Sequence, residues 1–165
     1  MKLYIVGSVA SGKTTLAKKL SQKLNIPYYE LDKIVHQKSD NGRYKRTPEE
    51  QVEVIKGIDC CTSGWIIEGT YRKSCHLILE LADVILFLDT PLWKRRYRVF
   101  SRFLKQQLGI EKCDYKSDLK MLSMMYKWTS DFETNRPEFN KMLSEYGSKL
   151  IVATDVNKEI SKIIT

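Results

Sequence analysis

The stretch Lys2-Leu3-Tyr4-Ile5-Val6-Gly7-Ser8-Val9-Ala10-Ser11-Gly12-Lys13-Thr14-Thr15 decides the fold of this chain. Residues 3–6 form a short apolar run that predicts a strand, and residues 13–24 have the apolar spacing of a helix. Between them lies Gly-x-x-x-x-Gly-Lys-Thr, a specific signal when it follows a strand and opens a helix. The stretch therefore predicts the first strand–loop–helix unit of an α/β sheet.

The loop between this strand and helix predicts a phosphate-binding site. Gly7 and Gly12 allow the backbone N–H groups to turn inward around phosphate oxygens, and the helix amino terminus adds partial positive charge. Lys13 is expected to reach the β- and γ-phosphates, and the Thr14 hydroxyl can ligate Mg²⁺. We expect ATP with Mg²⁺ as the ligand, held by Gly7, Ser8, Ala10, Ser11, Gly12, Lys13, Thr14 and Thr15.

The rest of the chain alternates strand and helix patterns, which predicts a parallel sheet with helices on both faces. Further strands are expected at residues 28–31, 65–69, 84–89 and 150–153. Helices are expected to begin at Thr47, where Glu50 completes a capping box, and to span residues 73–82, 92–108 and 156–164. Residues 92–146 contain no strand pattern, and a long helical excursion from a sheet often serves as a lid.

Three acids fall at the carboxyl ends of predicted strands, where open parallel sheets bind their ligands: Asp32, Glu68 and Asp89. A carboxylate there could hold hydrated Mg²⁺ or act as a base for a hydroxyl acceptor, or it could merely cap the following helix. Asp32 and Glu68 are favoured for the site, since their strands are expected beside the loop-bearing strand.

The predicted helix 92–108 has two distinct faces. One is apolar and comprises Trp93, Tyr97, Phe100, Leu104 and Leu108, and the other carries Arg95, Arg98 and Arg102. The arginines could form a solvated basic face, or they could bind phosphate, which suits the planar guanidinium. Arg136 precedes Pro137 at an expected helix start and is a further candidate for phosphate binding.

Composition indicates a globular protein with an anionic ligand. The 165 residues favour a single domain over residues 1–165, and the net charge of +8 suits nucleotide phosphates or nucleic acid equally. No apolar run is long enough for a membrane span. The four cysteines form no C-x-x-C pair, so we expect reduced thiols and a cytoplasmic protein.

These motifs resemble the adenylate-kinase-like P-loop kinases and, more narrowly, the bacterial FlaR family of DNA topology modulation proteins. The resemblance covers nearly the whole chain and rests on four segments: residues 7–14, the Tyr-Glu-Leu-Asp that ends at Asp32, residues 65–72, and Phe-Leu-Asp-Thr-Pro ending at Pro91. In such kinases, lid arginines follow that proline by seven and eleven residues, which gives Arg98 and Arg102 here.

The resemblance implies a three-layer α/β/α P-loop fold with strand order 2-3-1-4-5 and a helical lid at about residues 92–146. It implies phosphoryl transfer from ATP, with Lys13, Arg98, Arg102 and Arg136 neutralising the developing charge. Glu68 would help hold hydrated Mg²⁺ together with Thr14. The acceptor would be bound by Asp32, Glu68, Tyr71 and Arg72, of which Arg72 would grip an acceptor phosphate.

The chain also departs from that pattern. The segment between strands two and three is shorter than a usual nucleoside-monophosphate insert, with Arg43 and Arg46 as alternatives for its substrate arginine. Asp32 is instead similar to the acid of kinases that phosphorylate small hydroxyl compounds. We therefore expect a small-molecule kinase, with a nucleoside monophosphate as first acceptor and a hydroxyl metabolite as second. A nucleic-acid-associated ATP-binding protein is the alternative, although no nucleic-acid-binding motif is present.

Overall fold

The computed structural model describes residues 1–39, 42–111 and 117–154. In chain order the elements are β1 (Lys2–Gly7), α1 (Lys13–Leu24), β2 (Tyr28–Glu30), α2 (Leu31–Val35), β3 (His36–Ser39), β4 (Gly42–Lys45), α3 (Pro48–Cys61), β5 (Trp65–Gly69), α4 (Leu77–Leu81), β6 (Val84–Leu88), α5 (Leu92–Gln107), α6 (Leu119–Ser144) and β7 (Leu150–Ala153). The expected helix at residues 156–164 lies outside the described residues.

Five parallel strands form the central sheet in the order β2-β5-β1-β6-β7. Counting only these strands, this is the predicted order 2-3-1-4-5, so the expected topology is confirmed. β1 lies in the middle and pairs with β5 and β6 on its two sides. Its side chains are buried on both faces because one helical layer packs on each.

The two helical layers enclose two apolar clusters. Leu16, Ala17 and Leu20 of α1 pack on one face of the sheet, against Leu3 and Ile5 of β1. Residues from α2, α3, α4 and α6 cover the other face, around Tyr4, Val6, Trp65, Ile67 and Phe87. This layering fixes the carboxyl ends of β1, β2 and β5 beside one another at a single edge of the sheet.

Two helix starts follow from their local sequence. α1 begins after Gly12, whose φ of 103° is a left-handed conformation that favours glycine. At α3 the Thr47 hydroxyl accepts from the Glu50 amide at 3.3 Å, and the Glu50 carboxylate accepts from the Thr47 amide at 2.8 Å. The predicted capping box is therefore confirmed.

Three local expectations were wrong. We expected a polar loop at residues 36–46, but His36–Ser39 and Gly42–Lys45 pair as the antiparallel strands β3 and β4. The helix expected at residues 73–82 is broken into a 3-10 turn, Lys73–Cys75, and the short α4. β2 ends at Glu30, so Asp32 lies in the first turn of α2 and not at the end of the strand.

The orientation of α5 also differs from the usual behaviour of an amphipathic helix. Its apolar stripe faces outward, with Trp93 71% and Leu108 73% exposed. The arginine-bearing side faces the phosphate loop, and the side chain of Arg95 is buried. The alternative of a solvated basic face is therefore wrong for Arg95.

Candidate functional site

The loop after β1 has the geometry of a phosphate cradle. A Cβ added to Gly7 would lie 2.9 Å from the Leu88 carbonyl oxygen and 3.0 Å from Ser11 Oγ, so glycine is required there. Ala10 and Gly12 both adopt positive φ, which turns the backbone of the loop. The loop and the amino terminus of α1 thus place backbone N–H groups at the carboxyl end of β1, the central strand.

Lys13 is the buried cation of this loop. Its side chain is 8% exposed, and Nζ donates to the Ser8 carbonyl at 2.7 Å and to Ser11 Oγ at 3.5 Å. Burial lowers the pKa of Lys13 to about 8, although the Glu68 and Asp32 carboxylates oppose that shift. An arriving phosphate would add negative charge beside this ammonium and so favour its protonated form.

Thr14 and Glu68 form a pair at the mouth of the loop. The Thr14 hydroxyl donates to Glu68 Oε1 at 2.7 Å, which joins the start of α1 to the end of β5. Glu68 is 5% exposed, and burial raises the pKa of its carboxyl group, while Lys13 and the Thr14 hydrogen bond act to lower it. A hydroxyl and a carboxylate oxygen beside a phosphate loop are ligands that suit Mg²⁺, which is held through few protein groups, waters and phosphates.

A second polar pair, Asp32 and Arg72, lies across the same cleft. Arg72 Nη2 donates to Asp32 Oδ1 at 2.7 Å and links the loop after β5 to α2. Arg72 Nε is buried and has no hydrogen-bond partner among the described residues. The neighbouring Tyr71 hydroxyl lies 3.0 Å from Nδ1 of His76, whose Nε2 lies 3.1 Å from the Tyr146 hydroxyl.

These pairs share one large cavity of about 1580 Å³, which we call the main cleft. Its donor side comprises residues of the phosphate loop, and its other side is lined by the hairpin β3–β4, the segment after β5, and α6. The wall from α6, which we call the acceptor wall, consists of Met121, Met125, Trp128, Asp131, Phe132, Asn135, Glu138, Phe139 and Met142. The cleft therefore has room for two ligands, because single ligand pockets are usually about 300–1,000 Å³.

The α5 arginines reach the phosphate loop from its other side. Arg98 Nη1 donates to the carbonyls of Ala10 at 3.2 Å and Ser11 at 2.8 Å. Arg102 lines both the main cleft and a smaller groove of about 390 Å³ between α1 and α5, and it forms an ion pair with Glu111 at 3.3 Å. Thr15 and Arg98 also line this groove. The structure thus brings Arg98 and Arg102 to the loop.

Arg136 is placed differently from its expected position. It lies well inside α6, which continues through Pro137, and so it does not mark a helix start. Its guanidinium forms ion pairs with Asp89 and with Glu133, and it is not among the residues that line the main cleft. Asp89, in turn, pairs with this arginine and does not cap α5.

The sequence did not identify Thr90 as a site residue, and it named Arg95 for phosphate binding and not for support of the loop. Arg95 donates to the Ser8 hydroxyl at 2.7 Å, and the Thr90 hydroxyl donates to the Ser11 carbonyl at 3.0 Å, so both support the loop. Arg43 lines the main cleft, whereas Arg46 donates to the carbonyls of α2 and supports that helix. Arg95 and Arg98 are three residues apart and so share one face of the helix, and this spacing was the available signal for the position of Arg95.

The arrangement is that of the P-loop kinase fold: a five-stranded parallel sheet, a phosphate loop after the central strand, and helices over both faces. No family model matches the chain. The chain is 27% identical over 104 residues to a shikimate kinase of Sulfurihydrogenibium sp., covering 54% of this chain and 61% of that protein. A shikimate kinase of Flavobacterium psychrophilum is 30% identical over 96 residues, 51% of this chain and 56% of that protein.

An adenylate kinase 8 of Xenopus laevis is 27% identical over 109 residues, 54% of this chain but 22% of that protein. The chain thus spans less than two thirds of these curated relatives. Among solved structures, a shikimate kinase of Bacteroides thetaiotaomicron superposes with a TM-score of 0.51 at 16% identity, covering 86% of this chain and 82% of that one.

An uncharacterised protein of Eubacterium ventriosum superposes with a TM-score of 0.53 at 18% identity, covering 99% and 96% of the two chains. These likenesses support the P-loop kinase fold; the narrower resemblance to the FlaR family stays a prediction.

None of the helices in the described parts of the chain is long and apolar enough to cross a membrane.

Proposed function

We propose that this chain is an ATP-dependent phosphotransferase that acts on a small molecule. The observation that carries the proposal is the presence of two polar pairs in one cleft. Thr14–Glu68 lies at the phosphate loop and Asp32–Arg72 lies across from it. The relatives named as kinases support the same class of reaction.

The donor would bind with its phosphates in the loop. Lys13 leaves the Ser8 carbonyl to contact the β- and γ-phosphates, and backbone N–H groups of the loop hold the phosphate oxygens. The groove between α1 and α5 would take the nucleoside, since Thr15, Arg98 and Arg102 line it and a guanidinium stacks well on a base.

Thr14 and Glu68 would hold hydrated Mg²⁺ at the mouth of the loop. When bound, Mg²⁺ neutralises charge on the β- and γ-phosphates. The chain's own contribution is to orient these two groups, which it does by hydrogen-bonding the Thr14 hydroxyl to the Glu68 carboxylate across α1 and β5. Arg98 and Arg102 add positive charge from α5 on the opposite side of the loop.

We favour a hydroxyl metabolite that carries an anionic group as the acceptor. Asp32 can take the hydroxyl proton while the oxygen bonds to the γ-phosphorus, the bond from that phosphorus to the bridging oxygen breaks, and ADP leaves. Arg72, whose buried Nε has no hydrogen-bond partner in the described parts of the chain, suits the anionic group, and Tyr71 lies beside it. This reverses the order of acceptors expected from the sequence, because the Asp32–Arg72 pair and the shikimate kinase relatives both favour a hydroxyl compound.

A nucleoside monophosphate is the second candidate acceptor. The acceptor wall supports it, since Trp128, Phe132 and Phe139 could stack on a base while Arg43 and Arg72 bind the phosphate. The expectation of a protein associated with DNA remains the alternative, and it shares the same donor site.

The test is ADP production from ATP against a panel of acceptors, each with and without duplex DNA. Shikimate and other hydroxy acids form one arm, and the nucleoside monophosphates form another. Strong stimulation by one hydroxy acid is expected, and Arg72→Met should raise the KM for it far more than the KM for ATP. Stimulation by DNA alone would contradict a small-molecule kinase.

A further inference from the structure

Ser8 has a central position in the phosphate loop, because two cations donate hydrogen bonds to it, one to its carbonyl and one to its hydroxyl. Its carbonyl oxygen accepts from Lys13 Nζ at 2.7 Å, and its hydroxyl accepts from Arg95 Nη1 at 2.7 Å. A phosphate that draws Lys13 away from this carbonyl removes one of the two contacts. Ser8 is therefore a residue of the loop whose surroundings must change when nucleotide binds.

Arg95 carries the second contact into the interior. Its side chain is 1% exposed, its Nε donates to the Thr90 carbonyl at 2.8 Å, and its Nη2 pairs with the Glu133 carboxylate. The guanidinium carbon also lies 5.4 Å from the centre of the Phe132 ring. Removing one partner of a buried charge is costly, so Arg95 favours arrangements in which both Ser8 and Glu133 remain in contact with it.

Glu133 belongs to α6, the helix that forms the acceptor wall. Phe132, which precedes Glu133 in the chain, lines the main cleft, and Trp128 lies about one turn earlier on the same wall. Arg136, on the same helix, forms ion pairs with Glu133 and with Asp89 after β6, so Glu133 lies in a network that joins α5, α6 and the sheet. The Arg95–Glu133 contact is therefore made to the helix whose Trp128 and Phe132 line the main cleft.

We propose that Arg95 is a positioning residue that couples the phosphate loop, through Ser8 and Glu133, to the acceptor wall of α6. Nucleotide in the loop thereby adjusts the acceptor side of the cleft before the acceptor reacts. The coupling rests on the donor site of the proposed function and adds a residue that touches neither ligand.

The experiment uses Trp128 as a reporter of the acceptor wall. Trp93 is exposed on α5 and would add a second solvent-sensitive signal, so the 165-residue chain is studied with Trp93→Phe. Trp65 is fully buried. A non-hydrolysable ATP analogue with Mg²⁺ is titrated, and analogue affinity is measured separately by calorimetry. We expect a saturable change in Trp128 emission that follows the occupancy of the loop.

Arg95→Lys keeps the charge but loses the three-way contact, and Glu133→Gln keeps the shape but loses the charge of the acceptor-side partner. In both variants the analogue should still bind, with the Trp128 response to it lost or greatly reduced. Arg96→Lys is the matched control, because Arg96 also joins α5 to α6, through Ser130 Oγ at 2.9 Å, without contact to the loop. It should respond as the parent protein does.

The outcomes separate the two claims. A parent protein that fails to bind the analogue overturns the donor site and the coupling with it. Binding with no Trp128 response in the parent, or a full response in Glu133→Gln, overturns the coupling alone. If Arg95→Lys does not fold, Glu133→Gln decides the result, since Glu133 is partly exposed.

Discussion

Gly69 lies at the carboxyl end of β5, directly after Glu68, and it allows Leu31 of α2 to pack against the strand. A Cβ at Gly69 would lie 2.4 Å from Leu31 Cβ, 3.0 Å from its Cδ2 and 3.2 Å from its Cγ. Carbon atoms in contact stay about 3.5–4.0 Å apart, so Gly69→Ala requires α2 to move by about 1 Å. The next residue of α2 is Asp32, whose contact with Arg72 would be displaced by a similar amount.

We expect Gly69→Ala to separate phosphoryl transfer from nucleotide binding. The strain of overpacking should cost about 1–3 kcal/mol of folding free energy, and a 1 Å misplacement of the acceptor site costs about 10²-fold in turnover. The clash is directed at α2, so the affinity for an ATP analogue should change less than about threefold, well below one hydrogen bond to a charged group.

Turnover is measured as ADP production with the acceptor that gives the strongest stimulation in the acceptor panel. Calorimetry gives the affinity for the ATP analogue, and chemical denaturation gives the folding free energy. Gly57→Ala in α3 is the matched control, because a Cβ there meets nothing within 4 Å. It should stabilise the fold by about 0.5–1 kcal/mol and leave turnover unchanged. A folded Gly69→Ala protein with turnover within about twofold of the parent would refute the role assigned to the Asp32–Arg72 side of the cleft.

Arg98→Ala removes the guanidinium that binds two carbonyls of the loop, so the KM for ATP should rise about tenfold or more without unfolding; unchanged kinetics would show that this arginine lies outside the donor site. Thr47→Ala removes the cap of α3 and should cost about 1 kcal/mol in denaturant unfolding, with activity retained, and no loss would refute the capping box. Burial, followed by the adjacent guanidinium of Arg43, lowers the pKa of His36 in the folded protein. As pH falls below about 6.5, the unfolded chain binds this proton before the folded protein does, so the free energy of unfolding decreases. An NMR titration should show this pKa rising in Arg43→Gln, and a fall would contradict it.

The parts of the fold that follow local rules could be predicted from the sequence. The phosphate loop requires glycine at Gly7, for lack of space, and favours it at Gly12, for its positive φ, and the Thr47–Glu50 capping box is a local hydrogen-bond pattern. The strand order follows from the alternation of strands and helices together with the resemblance to known kinases. Such features depend on neighbouring residues or on a shared topology, and so one sequence is enough to find them.

The orientation of α5 could not be predicted in that way. An amphipathic pattern normally places the apolar stripe inward, but here contacts to Ser8, Ala10 and Ser11 hold the arginine side against the phosphate loop. The choice between the two faces depends on partners far away in the chain. The same reason applies to Arg136, because its pairing with Asp89 joins residues 47 positions apart.

The central claim is that the cleft transfers a phosphoryl group to a small acceptor. The most direct measurement uses ATP labelled in its γ-phosphate and follows the label in the wild-type chain and in Lys13→Ala. We predict that the wild-type chain moves the label onto the small acceptor and that Lys13→Ala moves none. Label that reaches only inorganic phosphate with every acceptor, or transfer that persists in Lys13→Ala, would contradict the account.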